Sequence, residues 1–164
     1  MNYMRIFSLL CMISILCTVS TAQEYKYIGA AKCKMCHNKP EKGDQYKKWA
    51  EGPHAKAMEK LKGADATNPK CMKCHSTAAS VDASLVETIT VAEGVSCESC
   101  HGPGSAYKAI SIMKDRAQSQ ARGLILPDEK VCKKCHNEES PNYKGFNFAE
   151  YSAKITHPDP TLAK

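Results

Sequence analysis

The chain has 164 residues, ten of them cysteine, and a formal charge of +6. With an export segment set aside about 142 residues remain, which excludes several independent domains and leaves one unit over residues 23–164. The charge brings nucleic acid or an anionic membrane into consideration as partners, but the cysteine pattern below removes that motive.

Residues 1–22 read as a secretory signal: Arg5 gives the positive start, residues 6–19 are almost wholly apolar, and Ser20, Thr21 and Ala22 offer small residues for cleavage before Gln23. The apolar run is too short for a transmembrane helix, so no membrane span is expected after cleavage. Cys11 and Cys17 leave with this segment, and the bulky Leu16 argues against Cys17 as a lipid-bearing cysteine.

Residues 44–51 are predicted as a short helix, broken by Gly52 and Pro53, with Pro53 opening a second helix that runs to about residue 61. Residues 63–70 read as a loop. Residues 85–91 alternate apolar and polar side chains and suggest a small strand or extended segment. Gly102, Pro103 and Gly104 must end the helix before them. Tyr107, Ile110, Met113 and Ala117 then recur at helical spacing within residues 106–122. A further helix is expected to start near Asp128 and carry Cys132 to His136, and a last one covers residues 146–155, stopped by His157 and Pro158.

Through these elements run four copies of one motif, C-x-x-C-H: Cys33, Cys36 and His37; Cys71, Cys74 and His75; Cys97, Cys100 and His101; Cys132, Cys135 and His136. On a helical turn, cysteines at i and i+3 face the same way and can bond the two vinyl carbons of one haem edge, while the histidine at i+4 falls beneath the iron. Structural zinc or disulfides also use paired cysteines. Neither has a use for a histidine directly after every second cysteine. Four covalently bound haems c are therefore expected, with the eight cysteines as attachment points and the four histidines as proximal ligands.

The first cysteines of successive motifs lie 38, 26 and 35 residues apart, so the chain is no solenoid of identical repeats. Some 35 residues per haem is too little protein for an ordinary core around each, and the fold class expected is mainly α, with short helices, long loops and haem faces as the core. The charge also looks different. Without Arg5 it is +5, and each ferric haem with two neutral axial ligands and two propionates contributes about −1, bringing the whole near +1. Much of the lysine content then offsets propionates, and nucleic acid drops out as a partner.

Beyond the four motif histidines only His54 and His157 remain for distal positions, so within one chain at most two haems can have two histidine ligands. Methionine is the other common soft ligand and raises the potential. Met35 and Met72 lie inside motif loops that point away from their own iron. Met113 has two readings, a space-filling core methionine or a ligand.

Tyr27 and Gly29 before the first motif, Trp49 and His54, the run from Gly94 to Gly104 containing Cys97-Glu98-Ser99-Cys100-His101-Gly102-Pro103-Gly104, and Lys154, Ile155, His157 and Pro158 together resemble the small tetrahaem cytochromes c related to the "five-fifty-four" cytochrome of ammonia-oxidising bacteria. The likeness spans about residues 28–158. It implies a mainly helical fold with closely packed haem pairs, periplasmic electron transfer, three six-coordinate haems and one five-coordinate. By position His54 and His157 match distal histidines of that pattern. Where the family delivers a third distal histidine, after the third motif, this chain has none, and Met113 is the substitute at that place. The haem of Cys71, Cys74 and His75 then becomes the open one.

The leading expectation is a monomeric periplasmic or secreted electron carrier that docks transiently with redox partner proteins, helped by lysine patches. Two rivals stand beside it: reduction of a small nitrogen oxide at a five-coordinate haem, and a conductive filament in which a neighbour ligates the open haem. No distal constellation tied by spacing to the open iron supports the first, and no histidine is left over for the second.

Overall fold

The computed structural model describes residues 24–162. The expected export segment, with Cys11, Cys17 and the cleavage site before Gln23, lies outside them. Nine short α-helices run through the described residues: α1 Ala30–His37, α2 Gln45–Glu51, α3 Pro69–His75, α4 Thr77–Ser80, α5 Cys97–His101, α6 Ile110–Met113, α7 Arg116–Ala121, α8 Glu129–Lys133 and α9 Phe148–Ile155. Single 3-10 turns fill many gaps between them, and the described residues form no β-strand. The fold is mainly helical, as expected.

Such short helices need outside help to start, since a first turn fixes several residues for one hydrogen bond. Most receive a cap. Asn68, Asp115, Asp128 and Asn147 accept from Lys70, Gln118, Val131 and Glu150 N–H at the starts of α3, α7, α8 and α9. The start of α1 has no local cap. Its Ala30 N–H instead donates to Glu93 Oε2 at 2.8 Å, from 63 residues away.

That contact belongs to a larger latch. The Glu98 side chain, 1% exposed, accepts from Ile28 N–H at 2.9 Å, Gly29 N–H at 2.7 Å and Gly104 N–H at 2.6 Å. Burial raises the pKa of this carboxyl, while the backbone donors oppose the rise. The latch ties the segment before α1 to α5, so the first and third motifs share one anchored frame. Around it, Ile28, Ala30, Ile89 and Tyr107 are the buried hydrophobic residues of the described chain. Four such side chains make a small aliphatic core, in line with a fold organised around something other than aliphatic packing.

Several predicted elements differ in the structure. The helix expected from Pro53 to about residue 61 is a turn followed by a single 3-10 turn at Met58–Lys60. Its carbonyls are taken by distant partners: His54 O accepts from Val95 N–H at 2.9 Å and Ala57 O meets His75 Nδ1 at 2.7 Å. The strand expected at residues 85–91 reduces to one bridge, Tyr27 to Val86, with 3-10 turns at Ala83–Leu85 and Val91–Glu93. The expected helix over residues 106–122 is split into α6 and α7, because Asp115 leaves the helix and caps a new one. The loop expected at residues 63–70 holds the 3-10 turn Gly63–Thr67 and the start of α3. The fourth motif outlasts its helix: α8 ends at Lys133, and Cys135 and His136 follow in a turn whose His136 N–H still donates to Cys132 O at 3.0 Å.

Candidate haem-binding site

Each of the first three motifs lies within a helix, as the i, i+3, i+4 chemistry requires, and the fourth keeps a helical hydrogen bond across its turn. All eight motif cysteines are free thiols, unpaired by any disulfide. Among the described residues there is no cluster of three or more histidine, cysteine, aspartate or glutamate side chains that could hold a metal ion.

The folded chain brings motifs together in pairs. Cys33 and Cys97 share a thiol hydrogen bond that lowers the first and, with burial, raises the second. Cys135 is pushed up to about 12 by burial and by the neighbouring Cys74. The first motif thus faces the third, and the second faces the fourth. A side-chain contact between Lys73 and Glu139 fastens the second pair from outside.

A cavity of about 700 Å³ opens between the first and third motifs. Its walls include Cys33 and His37 from one motif and Cys97, Cys100 and His101 from the other. His54, Met113 and His157 reach the same cavity from outside the motifs. The second motif and the fourth do not line it. The three non-motif residues singled out from sequence therefore converge, although they lie up to 103 positions apart in the chain.

The imidazoles make the decisive geometry. His54 and His136 have ring centres 6.1 Å apart with planes at 67°, and His101 and His157 are 6.0 Å apart at 72°. A metal–nitrogen bond of about 2 Å on each side, plus about 1.1 Å from nitrogen to ring centre, puts two trans imidazoles about 6 Å apart. Both pairs match that span, and each couples a motif histidine to a non-motif one. His37 and His75 have no imidazole opposite them among the described residues. His37 shares its cavity with Met113.

Hydrogen bonds also prepare the rings. His75 Nδ1 meets Ala57 O at 2.7 Å, His157 Nδ1 meets Ile155 O at 2.8 Å and His101 Nδ1 meets Ile125 O at 3.3 Å. A ring that donates from Nδ1 to a carbonyl presents Nε2 as its free donor atom, the usual outer-shell device behind metal-binding histidine. Burial, then the neighbouring His136, holds His54 below the ordinary imidazole range. Burial does the same to His101 and His136. Neutral imidazole is the form a metal takes.

Two tertiary contacts deliver the non-motif histidines. Gly94, with φ of +68°, lets the backbone approach the 53–56 turn so closely that a Cβ there would lie 2.6 Å from His54 O. Trp49 Nε1 donates to Val95 O at 2.8 Å and braces the same crossing. At the other end Gly43, with φ of +94°, lies under Pro158, where a Cβ would meet Pro158 O at 2.4 Å. Lys42 and Asp159 pair at 3.8 Å across that contact.

The donor set and the cavity therefore fit covalently held haem: paired thiols on helical turns, and imidazole pairs whose ring centres lie an iron's span apart. Three features of the site escaped the sequence reading. Glu98 was visible as part of a string but not as a latch. Its signal is an acid between two motif cysteines followed by Gly102 and Gly104. Glu93 and the ring of Phe146, which stacks on His136 at 5.0 Å, carry no sequence signal of their role.

A family profile described as "Cytochrome c554 and c-prime" matches residues 32–102, which include the first three motifs. Cytochrome c-554 of Nitrosomonas europaea is 29% identical over 161 residues, covering 77% of this chain and 64% of that protein. The chain thus spans less than two thirds of the length of this curated relative. No solved structure matches. Among the described residues no helix is long and apolar enough to cross a membrane. The profile, the relative and the mainly helical fold agree, and the chain is similar to the c554 cytochromes, a family that implies covalently bound haem c.

Proposed function

We propose that the chain is a four-haem electron carrier, exported to the periplasm through residues 1–22 and folded as one unit over residues 23–164. One observation carries the reading: two imidazole pairs stand at 6.1 and 6.0 Å, each joining a motif histidine to a spare one. His54 with His136 would hold the fourth-motif haem, and His101 with His157 the third-motif haem. Met113 serves the His37 site and the His75 site keeps one protein ligand. Bound haem supplies a one-electron couple at each iron.

The chain's residues do the rest. The thiols fix each group covalently, and the two motif pairings keep the groups close. Two axial side chains already held at the iron's span limit rearrangement when charge changes, which favours fast relay. The methionine is expected to set the His37 site at a higher potential than the bis-histidine sites. Partner redox proteins dock transiently, as suits a monomeric carrier with exposed lysines such as Lys73 and Lys154 on its surface.

A potentiometric titration of the purified holoprotein, with haem counted by mass, tests this reading. Four haem masses and four reversible one-electron steps are expected. Fewer than four haems, or steady oxidation of the reduced protein by nitrite or nitric oxide, would replace the carrier reading with another.

A further inference from the structure

The proximal histidines are not all held in the same way. His75 and His101 have Nδ1 against the carbonyls of Ala57 and Ile125. Among the described residues nothing hydrogen-bonds to the ring of His136, so a hydrogen bond does not set its rotation. What touches its face is aromatic. Phe146 stacks on His136 with centres 5.0 Å apart and planes within 24°.

That stack is itself backed. Tyr151 on α9 lies 5.1 Å from Phe146 and 6.2 Å from His136, and Lys154 Nζ lies 4.8 Å over the Tyr151 ring. Lys154 is in turn paired with Glu150 at 2.7 Å, one turn back along α9. Offset aromatic pairs contribute about 0.5–1.5 kcal/mol beyond the area they bury, and a cation over a ring adds to this. The chain of contacts runs from a solvent-facing helix inward to one imidazole plane.

We propose that Phe146 is the positioning residue of His136, fixing its imidazole plane at the observed 67° to that of His54. The proposal rests on the reading of His54 and His136 as one axial pair. The angle matters electronically. When two axial imidazoles lie near perpendicular, the iron d orbitals in their planes are nearly degenerate, and the ferric low-spin site gives an EPR signal with a large maximum g value. As the planes turn parallel the signal becomes rhombic with a smaller maximum g. Phe146 thus replaces, for this one ligand, the hydrogen bond that orients His75 and His101. It also makes α9 serve two sites, because the same helix ends beside His157.

EPR of the oxidised holoprotein tests this with an internal control. The His101 and His157 pair, at 72° and held by hydrogen bonds to the carbonyls of Ile125 and Ile155, gives a second large-g signal that does not depend on Phe146. In the Phe146→Leu variant one of the two large-g signals is expected to shift toward a rhombic form while the other stays. Phe146→Tyr, which keeps a stacking ring, is expected to restore it. Both large-g signals unchanged in Phe146→Leu would overturn the proposal. Absence of a second large-g signal in the unmodified protein would overturn the axial-pair reading itself, a distinguishable result. Should Phe146→Leu fail to take up haem, Tyr151→Leu removes the exposed backing ring instead. Broadening of the same signal is expected there, and an unchanged line shape would count against the stack as the orienting device.

Discussion

Replacing Gly94 by alanine reaches the placement of His54 without touching a ligand. The added Cβ would sit 2.6 Å from His54 O, 2.8 Å from Ala55 O and 3.1 Å from Ala55 C, with φ at +68°. Backbone cannot yield as a flexible side chain does, so the 53–56 turn must retreat by about 0.8 Å to reach ordinary van der Waals contact. The backbone at φ +68° and ψ −142°, a region kept almost entirely by glycine, alone costs about 1–3 kcal/mol for a residue with a Cβ. Crowding two carbonyls and stretching the 2.9 Å bond from Val95 N–H to His54 O adds about 1–2 kcal/mol. A total of about 2–5 kcal/mol is expected, falling on the contact that sets His54 beside His136 at 6.1 Å. Gly63→Ala is the control: φ is +54°, but nothing lies within 4 Å of its Cβ position, so only the backbone cost applies. Thermal unfolding of the oxidised holoproteins, read by far-ultraviolet circular dichroism, should show Gly94→Ala losing clearly more stability than Gly63→Ala. Low-temperature EPR of the same samples should show a low-spin signal partly converted to high spin in Gly94→Ala alone. Equal stability losses in the two variants, with unchanged spectra, would refute the argument that Gly94 places His54.

Other parts of the account are open to similar checks. Glu98→Ala would leave the N–H groups of Ile28, Gly29 and Gly104 without their acceptor; at about 1–3 kcal/mol for each buried donor left unpaired, a loss of 3 kcal/mol or more is expected in chemical denaturation, and a loss under 1 kcal/mol would mean the latch is incidental. Met113→His should keep its site low-spin while lowering one of the four midpoint potentials, since histidine replaces a ligand that raises it; a titration superimposable on that of the unmodified protein would remove Met113 from the ligand set. Asp82 is held below the ordinary aspartate range, first by the Ser84 hydroxyl and then by the Ser84 N–H. A depressed folded pKa means that its capping bond is present above the ordinary aspartate range and is lost as pH falls through the lower folded value. The Ser84 amide resonance should therefore shift with a midpoint below that range, and a midpoint within or above it would contradict the cap.

How much of this could be read beforehand differs between covalent and tertiary features. The motif positions were legible because attachment chemistry fixes residue type and spacing on one helical turn, and α1, α3 and α5 carry them as expected. Counting spare donors singled out His54, Met113 and His157, but their meeting at one cavity is a tertiary fact that no local pattern carries. Which histidine faces which motif could not follow, because it depends on the crossings at Gly94 and Gly43, each more than 35 residues distant in sequence from its partner. Local patterns misled where tertiary partners claimed the backbone. Val95 and His75 take the carbonyls of His54 and Ala57, so a segment with an acceptable helical start becomes a turn. Asp115 was a visible cap inside an apparent helix, and the periodicity of Tyr107, Ile110 and Met113 outweighed it. The alternation over residues 85–91 has no neighbouring strand to pair with beyond Tyr27, and a strand without a ladder does not persist.

The central claim is that the four sites are inequivalent because the chain holds only two spare histidines. Near-infrared magnetic circular dichroism combined with EPR on the oxidised monomeric holoprotein counts ligand sets directly. The account predicts two bis-histidine low-spin sites, one histidine–methionine low-spin site and one high-spin site. Four bis-histidine low-spin sites in a monomer, or none, would contradict it.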